Sequence, residues 1–142
     1  KILSGFYGIL SPFDGIVPYR LEMQAKLAIE KHKNLYSFWG DSLYKELTKD
    51  TKIILNLASK EYSKIIEKYL SDDDIFVSCI FGSISGSKIK VKATEAKMAR
   101  GLMVRFLAEN NINDIEKVKE FNELGFNFSK EHSRSNEFVF LK

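Results

Sequence analysis

The sequence predicts an α+β fold, a mixed sheet with flanking helices in a single compact domain over residues 1–142, and three observations lead there. Short aliphatic runs, Lys52 to Leu57 and Ile75 to Phe81, alternate with stretches of helical periodicity. The 142 residues, 44% of them apolar, suffice for one hydrophobic core and are too few to demand two. No repeat or low-complexity tract interrupts the alternation, which is the pattern of a mixed α/β or α+β sheet.

Taken in order, Ile2 to Pro18 is punctuated by Gly5, Gly8, Pro12, Gly15 and Pro18, which predicts a short strand followed by tight turns. A helix is expected from about Tyr36 to Thr48. Lys52 to Leu57 has the form of a strand buried on both faces. Ser59 suits the N-cap of a helix whose apolar residues Tyr62, Ile65, Ile66, Tyr69 and Leu70 recur at helical spacing. Ile75 to Phe81 reads as a second strand, Gly82 to Ser87 as a flexible connection, and Lys88 to Lys92 as a third strand. Period two puts the three lysines of that strand on one face and Ile89 and Val91 on the other. Thr94 suits the N-cap of a helix to about Asn110, with Ala99, Leu102, Met103 and Phe106 on its apolar stripe. A short helix near Asp114 to Asn122 and strands near Phe126 to Phe128 and Phe138 to Leu141 complete the chain.

Composition excludes several functional classes. No apolar run reaches the roughly 18 to 20 residues that span a bilayer, and the start lacks the features of a secretory signal, so a soluble cytoplasmic protein without a membrane partner is expected. The lone Cys79 lies in an apolar run, where a buried thiol is the expected state and no internal disulfide can form. His32 and His132 have no Cys or His at ligand spacing, so neither a metal nor another cofactor is expected. The net charge of +3 announces no polyanionic partner by itself. Its distribution does more: Lys88 to Arg105 holds six basic residues against Glu95, whereas Glu109 to Glu123 holds five acids against Lys117 and Lys119.

Each candidate site residue has a structural reading beside a functional one. Arg20 and Glu22, two apart after Pro18 and next to Tyr19, could hold a phosphate or carboxylate, or form an ordinary ion pair. Trp39-Gly40-Asp41 could stack a planar ring and accept a hydrogen bond from it, or be a core Trp followed by a helix cap. Asn56 to Ser59 is a strand-to-helix turn, where anions collect in α/β proteins, although Ser59 could serve as a cap alone. Lys88, Lys90 and Lys92 could neutralise phosphates or guard a sheet edge against aggregation. Lys97 and Arg100, placed near a helix N-terminus, would oppose its dipole, and that cost asks for a function.

In order along the chain, Leu3 to Leu10, Pro12, Asp14, Pro18 to Met23, Leu35-Tyr36, Phe38 to Asp41, Asn56 to Ser59, Glu61-Tyr62, Ala99 to Met103, Arg105-Phe106, Phe121-Asn122 and Gly125 resemble the YaaA family of bacterial peroxide-stress proteins. The resemblance implies a role in limiting free intracellular iron and oxidative damage, and DNA binding through a positively charged cleft with a helix-hairpin-helix element. The cleft positions it implies are Arg20, Glu22, Trp39, Asp41, Asn56, Lys97 and Arg100. The family extends further at its N-terminus, with a Ser-Pro-Ala-Lys motif, so a chain that begins at Lys1 looks like the C-terminal portion of a member. Lys92 to Glu95 stands where the family carries a Ser-Phe-Tyr type run.

Two functions are carried forward. The first is a stress protein binding DNA, single- or double-stranded, with phosphates on Arg20, Lys97, Arg100 and the lysine strip and a base on Trp39 or Tyr19. The second is an enzyme acting on a small nucleotide or modified base by N-glycosidic cleavage or transfer, with Asp41 or Glu22 as general base and Arg20, Lys97 and the Asn56 to Ser59 turn holding the substrate. A third reading keeps the fold but not the binding, because the missing segment completes the cleft.

Overall fold

The computed structural model describes residues 1–142. The fold is α+β, with a mixed sheet and flanking helices, and its elements group into two compact units.

The first unit comprises Lys1 to Ile53 and Ala58 to Asp74. It opens on an antiparallel hairpin of β1 (Ile2–Ser4) and β2 (Gly8–Leu10), so the expected single strand is two. The expected helix over Tyr36 to Thr48 is also two pieces, α1 (Leu35–Trp39) and α2 (Ser42–Leu47). Gly40 separates them with φ 54° and ψ −131°, a conformation open to a residue without Cβ and incompatible with continuing the helix. Asn34 caps α1: its Oδ1 accepts from Ser37 N at 2.9 Å, and Ser37 Oγ accepts in return from Asn34 N at 3.3 Å. The amphipathic helix α3 (Lys60–Glu67) forms where its periodicity predicts, burying Ile65 and Ile66; Met23, Leu35 and Leu43 are the other apolar residues buried in this unit. Tyr36 donates its hydroxyl to Glu61 O at 2.8 Å and so ties α1 to α3.

The second unit comprises Ile54 to Leu57 and Ile75 to Lys142. Its sheet runs β3 (Ile53–Asn56), β4 (Ile75–Ser85), β7 (Glu137–Leu141) and β6 (Asn127–Phe128), with β5 (Lys88–Lys90) paired to the far part of β4. Strands β4 and β7 are parallel, while β5 and β6 are antiparallel to their neighbours. Ile53 is half exposed, so β3 is not buried on both faces as its composition suggests. Helix α4 (Ala93–Glu109) lays Ala96, Ala99 and Met103 on the core with Val77, Cys79, Phe81, Phe138 and Phe140. Phe81 stacks on Phe140 at 5.1 Å and meets Phe126 edge-on at 5.4 Å, geometries worth about 0.5–1.5 kcal/mol per pair beyond the buried area. Cys79 is buried, as expected, and burial pushes its thiol pKa up to about 12.

Two local expectations are corrected here, and a third is refined. Gly82 to Ser87 is no flexible connection: β4 continues to Ser85, and only Gly86 and Ser87 form the turn into β5. Helix α4 begins at Ala93 with Lys92 at its N-cap position, which puts Thr94 inside the first turn. The short helix expected near Asp114 to Asn122 forms as a 3-10 helix, Ile115–Glu120, with Asp114 as its cap, and a second 3-10 turn follows at Glu123–Gly125.

Candidate nucleic-acid interface

The β4–β5 hairpin carries two exposed lysines of the second unit. Its register pairs Ser83 with Lys90, Ile84 with Ile89 and Ser85 with Lys88. Residues directly opposite one another in an antiparallel pair share a face. Ser83, Ser85, Lys88 and Lys90 therefore lie together on one side of a two-stranded ribbon, and Ile84 and Ile89 on the other. Both lysines are exposed, and neither is in an ion pair, in a chain where eight such pairs form. The hydroxyls of Ser83 and Ser85 add uncharged donors to the same face, which the sequence reading missed because it treated them as linker.

Lys92 does not extend this strip. It leaves β5 for the start of α4, and its Nζ lies 3.0 Å from Glu95 Oε1. Lys142 Nζ also reaches Glu95 at 2.8 Å, and these two hydrogen bonds hold the Glu95 carboxyl below its ordinary pKa. The dipole argument for Lys97 and Arg100 is also corrected. They are the fifth and eighth residues of α4, past the first turn in which the dipole acts. Lys97 is exposed and in no ion pair. Arg100 is half-buried, donates Nε to Ala96 O at 3.1 Å, and burial lowers its pKa. Asn56 sits on β3 and donates Nδ2 to Ser78 Oγ at 3.0 Å, a bond within the sheet.

The remaining candidates belong to the first unit. Tyr19 is held by a hydrogen bond between its hydroxyl and Ser4 Oγ. Its ring lies 5.3 Å from Phe6 and 5.4 Å from Tyr7, whose hydroxyl accepts from Val17 N. Phe6 leaves 54% of its surface in solvent, so the most open ring of this trio is one the sequence reading passed over. The run Gly5-Phe6-Tyr7-Gly8 was the available signal. Arg20 and Glu22 are held only loosely, 3.9 Å apart with side chains 93% and 66% exposed. Such a pair contributes little to stability and leaves the guanidinium available.

Trp39 is a packing residue, donating Nε1 to Gly5 O at 3.0 Å and meeting Phe38 edge-on. Asp41 stands at the N-cap position of α2 without a side-chain cap bond; its Oδ2 is 2.7 Å from Lys45 Nζ. That hydrogen bond lowers the Asp41 pKa, which makes its carboxylate a weak general base. Ser59 contributes its carbonyl to Tyr62 N and Ser63 N at the start of α3, while its hydroxyl makes no cap bond.

A family model described as peroxide stress protein YaaA matches residues 1–132. The chain is 56% identical over 142 residues to a UPF0246 protein of Desulfitobacterium hafniense (strain Y51), an alignment covering 100% of this chain and 57% of that protein. It is 54% identical over 141 residues to a UPF0246 protein of Lactiplantibacillus plantarum, covering 99% and 57%. For a UPF0246 protein of Lachnoclostridium phytofermentans the figures are 53% identity over 141 residues, 99% and 55%. The chain thus spans a little over half the length of these relatives.

Proposed function

The chain belongs to the YaaA family of peroxide stress proteins, and we propose that within that family it binds nucleic acid, with the β4–β5 hairpin supplying the phosphate contacts. The observation that carries this reading is the hairpin face on which Lys88 and Lys90, both without acidic partners, flank Ser83 and Ser85. A two-stranded ribbon fits the major groove of a duplex, and unpaired lysines bind phosphates by releasing condensed counterions. Lys97 extends the cationic surface of this unit, while Arg20 and the Phe6–Tyr19 rings give the first unit its own means of holding a phosphate and stacking a base. The protection against iron-linked oxidative damage that goes with the family is then exercised at the nucleic acid itself.

The test is to titrate a short DNA duplex, and separately a single strand, into the isotopically labelled chain and follow backbone amide signals. The reading expects the largest shifts at Ser83 to Lys90. Shifts confined to other segments, or none at low salt, would overturn it.

A further inference from the structure

We propose that the first unit holds a second, independent site for a small phosphate ester with a flat apolar body, of mononucleotide size, in the groove between the Met23 to Ala28 segment and the start of α1. The groove is open to solvent and offers about 430 Å³, within the range of roughly 300–1,000 Å³ that small-molecule sites occupy. Met23, Ala25 and Ala28 supply its apolar lining, while Lys26, Lys33 and Asn34 supply its polar groups.

The charged side chains of the lining, Lys26 and Lys33, are both cations. Lys26 and Lys33 are exposed and engage no carboxylate or ring, although most of the salt bridges in the chain use lysines. Asn34 spends Oδ1 on Ser37 N, which leaves Nδ2 as its side-chain donor. Of the eight lining residues none is acidic. The nearby Glu61 side chain is already engaged by Gln24 N at 3.2 Å. Two cations and an amide donor around an apolar lining suit an anion attached to a non-polar body. Tyr36, on the wall, keeps a fixed ring because its hydroxyl is donated to Glu61 O, and burial together with the Glu61 charge holds that hydroxyl neutral. A fixed aromatic ring on the wall favours a planar body over a flexible chain.

The experiment is calorimetric titration of the full chain with adenosine monophosphate, adenosine and inorganic phosphate. It is repeated with Lys26→Gln/Lys33→Gln, with Ala28→Trp to fill the groove, and with Lys88→Gln/Lys90→Gln as a control. All the substituted residues are exposed, so the variants should fold. The proposal expects the monophosphate to bind more tightly than either half alone, and the first two variants to weaken it by about tenfold or more while the control leaves it unchanged. No binding, equal binding of phosphate or adenosine, or a loss confined to the control variant would overturn it. Because the hairpin is altered separately, failure here leaves the nucleic-acid reading untouched, and the reverse also holds.

Discussion

A lysine that forms an ion pair has part of its attraction to phosphate already satisfied, and this difference ranks the basic residues of the chain. Lys92 shares Glu95 with Lys142, whereas Lys88 and Lys90 share nothing. Lys92→Gln is therefore expected to change DNA affinity little, and Lys88→Gln or Lys90→Gln to lower it, by competition binding at fixed low salt. A different residue governs acid sensitivity. Asp74 accepts from Ser71 N at 2.8 Å and Tyr44 Oη at 2.7 Å and lies 3.3 Å from Lys52 Nζ, with a side chain wholly out of solvent. The Ser71 backbone bond, then the Tyr44 hydroxyl, hold its pKa well below the carboxylate range. A depressed folded pKa means that the unfolded chain takes up the proton first. This contribution is thus complete above pH about 4 and is lost as pH falls below it. Asp74→Asn should flatten the acid limb of the first unit's stability curve, measured by urea midpoints between pH 2 and 7; an unchanged limb would assign acid sensitivity elsewhere.

At the scale of elements, the hairpin depends on how closely its strands cross. A Cβ on Gly82 would sit 2.6 Å from Ile89 Cγ2 and 2.9 Å from Lys90 O. The side-chain methyl could shift but the carbonyl belongs to the paired strand, so Gly82→Ala should cost about 1–3 kcal/mol and separate β5 from β4. Amide exchange should rise at Ser83 and Lys90, the hydrogen-bonded pair next to Gly82; protection at the wild-type level would contradict this. In the core, Phe140→Ala removes a ring packed on Phe81 and Phe121 and should cost about 3–5 kcal/mol in denaturant unfolding. Both elements also mark the limit of what the sequence makes legible. The helix α3, with Ile65 and Ile66 at helical spacing, and the apolar strands β4 and β7 could be placed from periodicity because burial acts on every second or every third and fourth residue. The break at Gly40 and the extension of β4 through Ser83 and Ser85 could not, since each depends on a backbone conformation or a partner strand with no local signature.

For the whole molecule, a net charge of +3 says little, and the function proposed rests on where charge is left uncompensated. The site was legible only in part for that reason. The basic stretch from Lys88 to Arg105 is visible in one dimension, but which members are neutralised is decided by Glu95, shared between Lys92 and Lys142 forty-seven residues on, and by Glu109, which pairs with Arg105. Likewise Trp39 has the composition of a stacking platform, whereas in the fold its indole is bonded to Gly5 and Phe6 is the open ring. Family membership sets the setting, peroxide stress, while the match covers 57% of the Desulfitobacterium relative's length. The measurement that tests the central claim most directly is the salt dependence of duplex DNA affinity, by fluorescence anisotropy, for the chain and its Lys88→Gln/Lys90→Gln variant. Each phosphate contact contributes about 0.9 to the slope of log affinity against log salt, so the account predicts a slope shallower by roughly 1 to 2 in the variant. Equal slopes for the two proteins would contradict it.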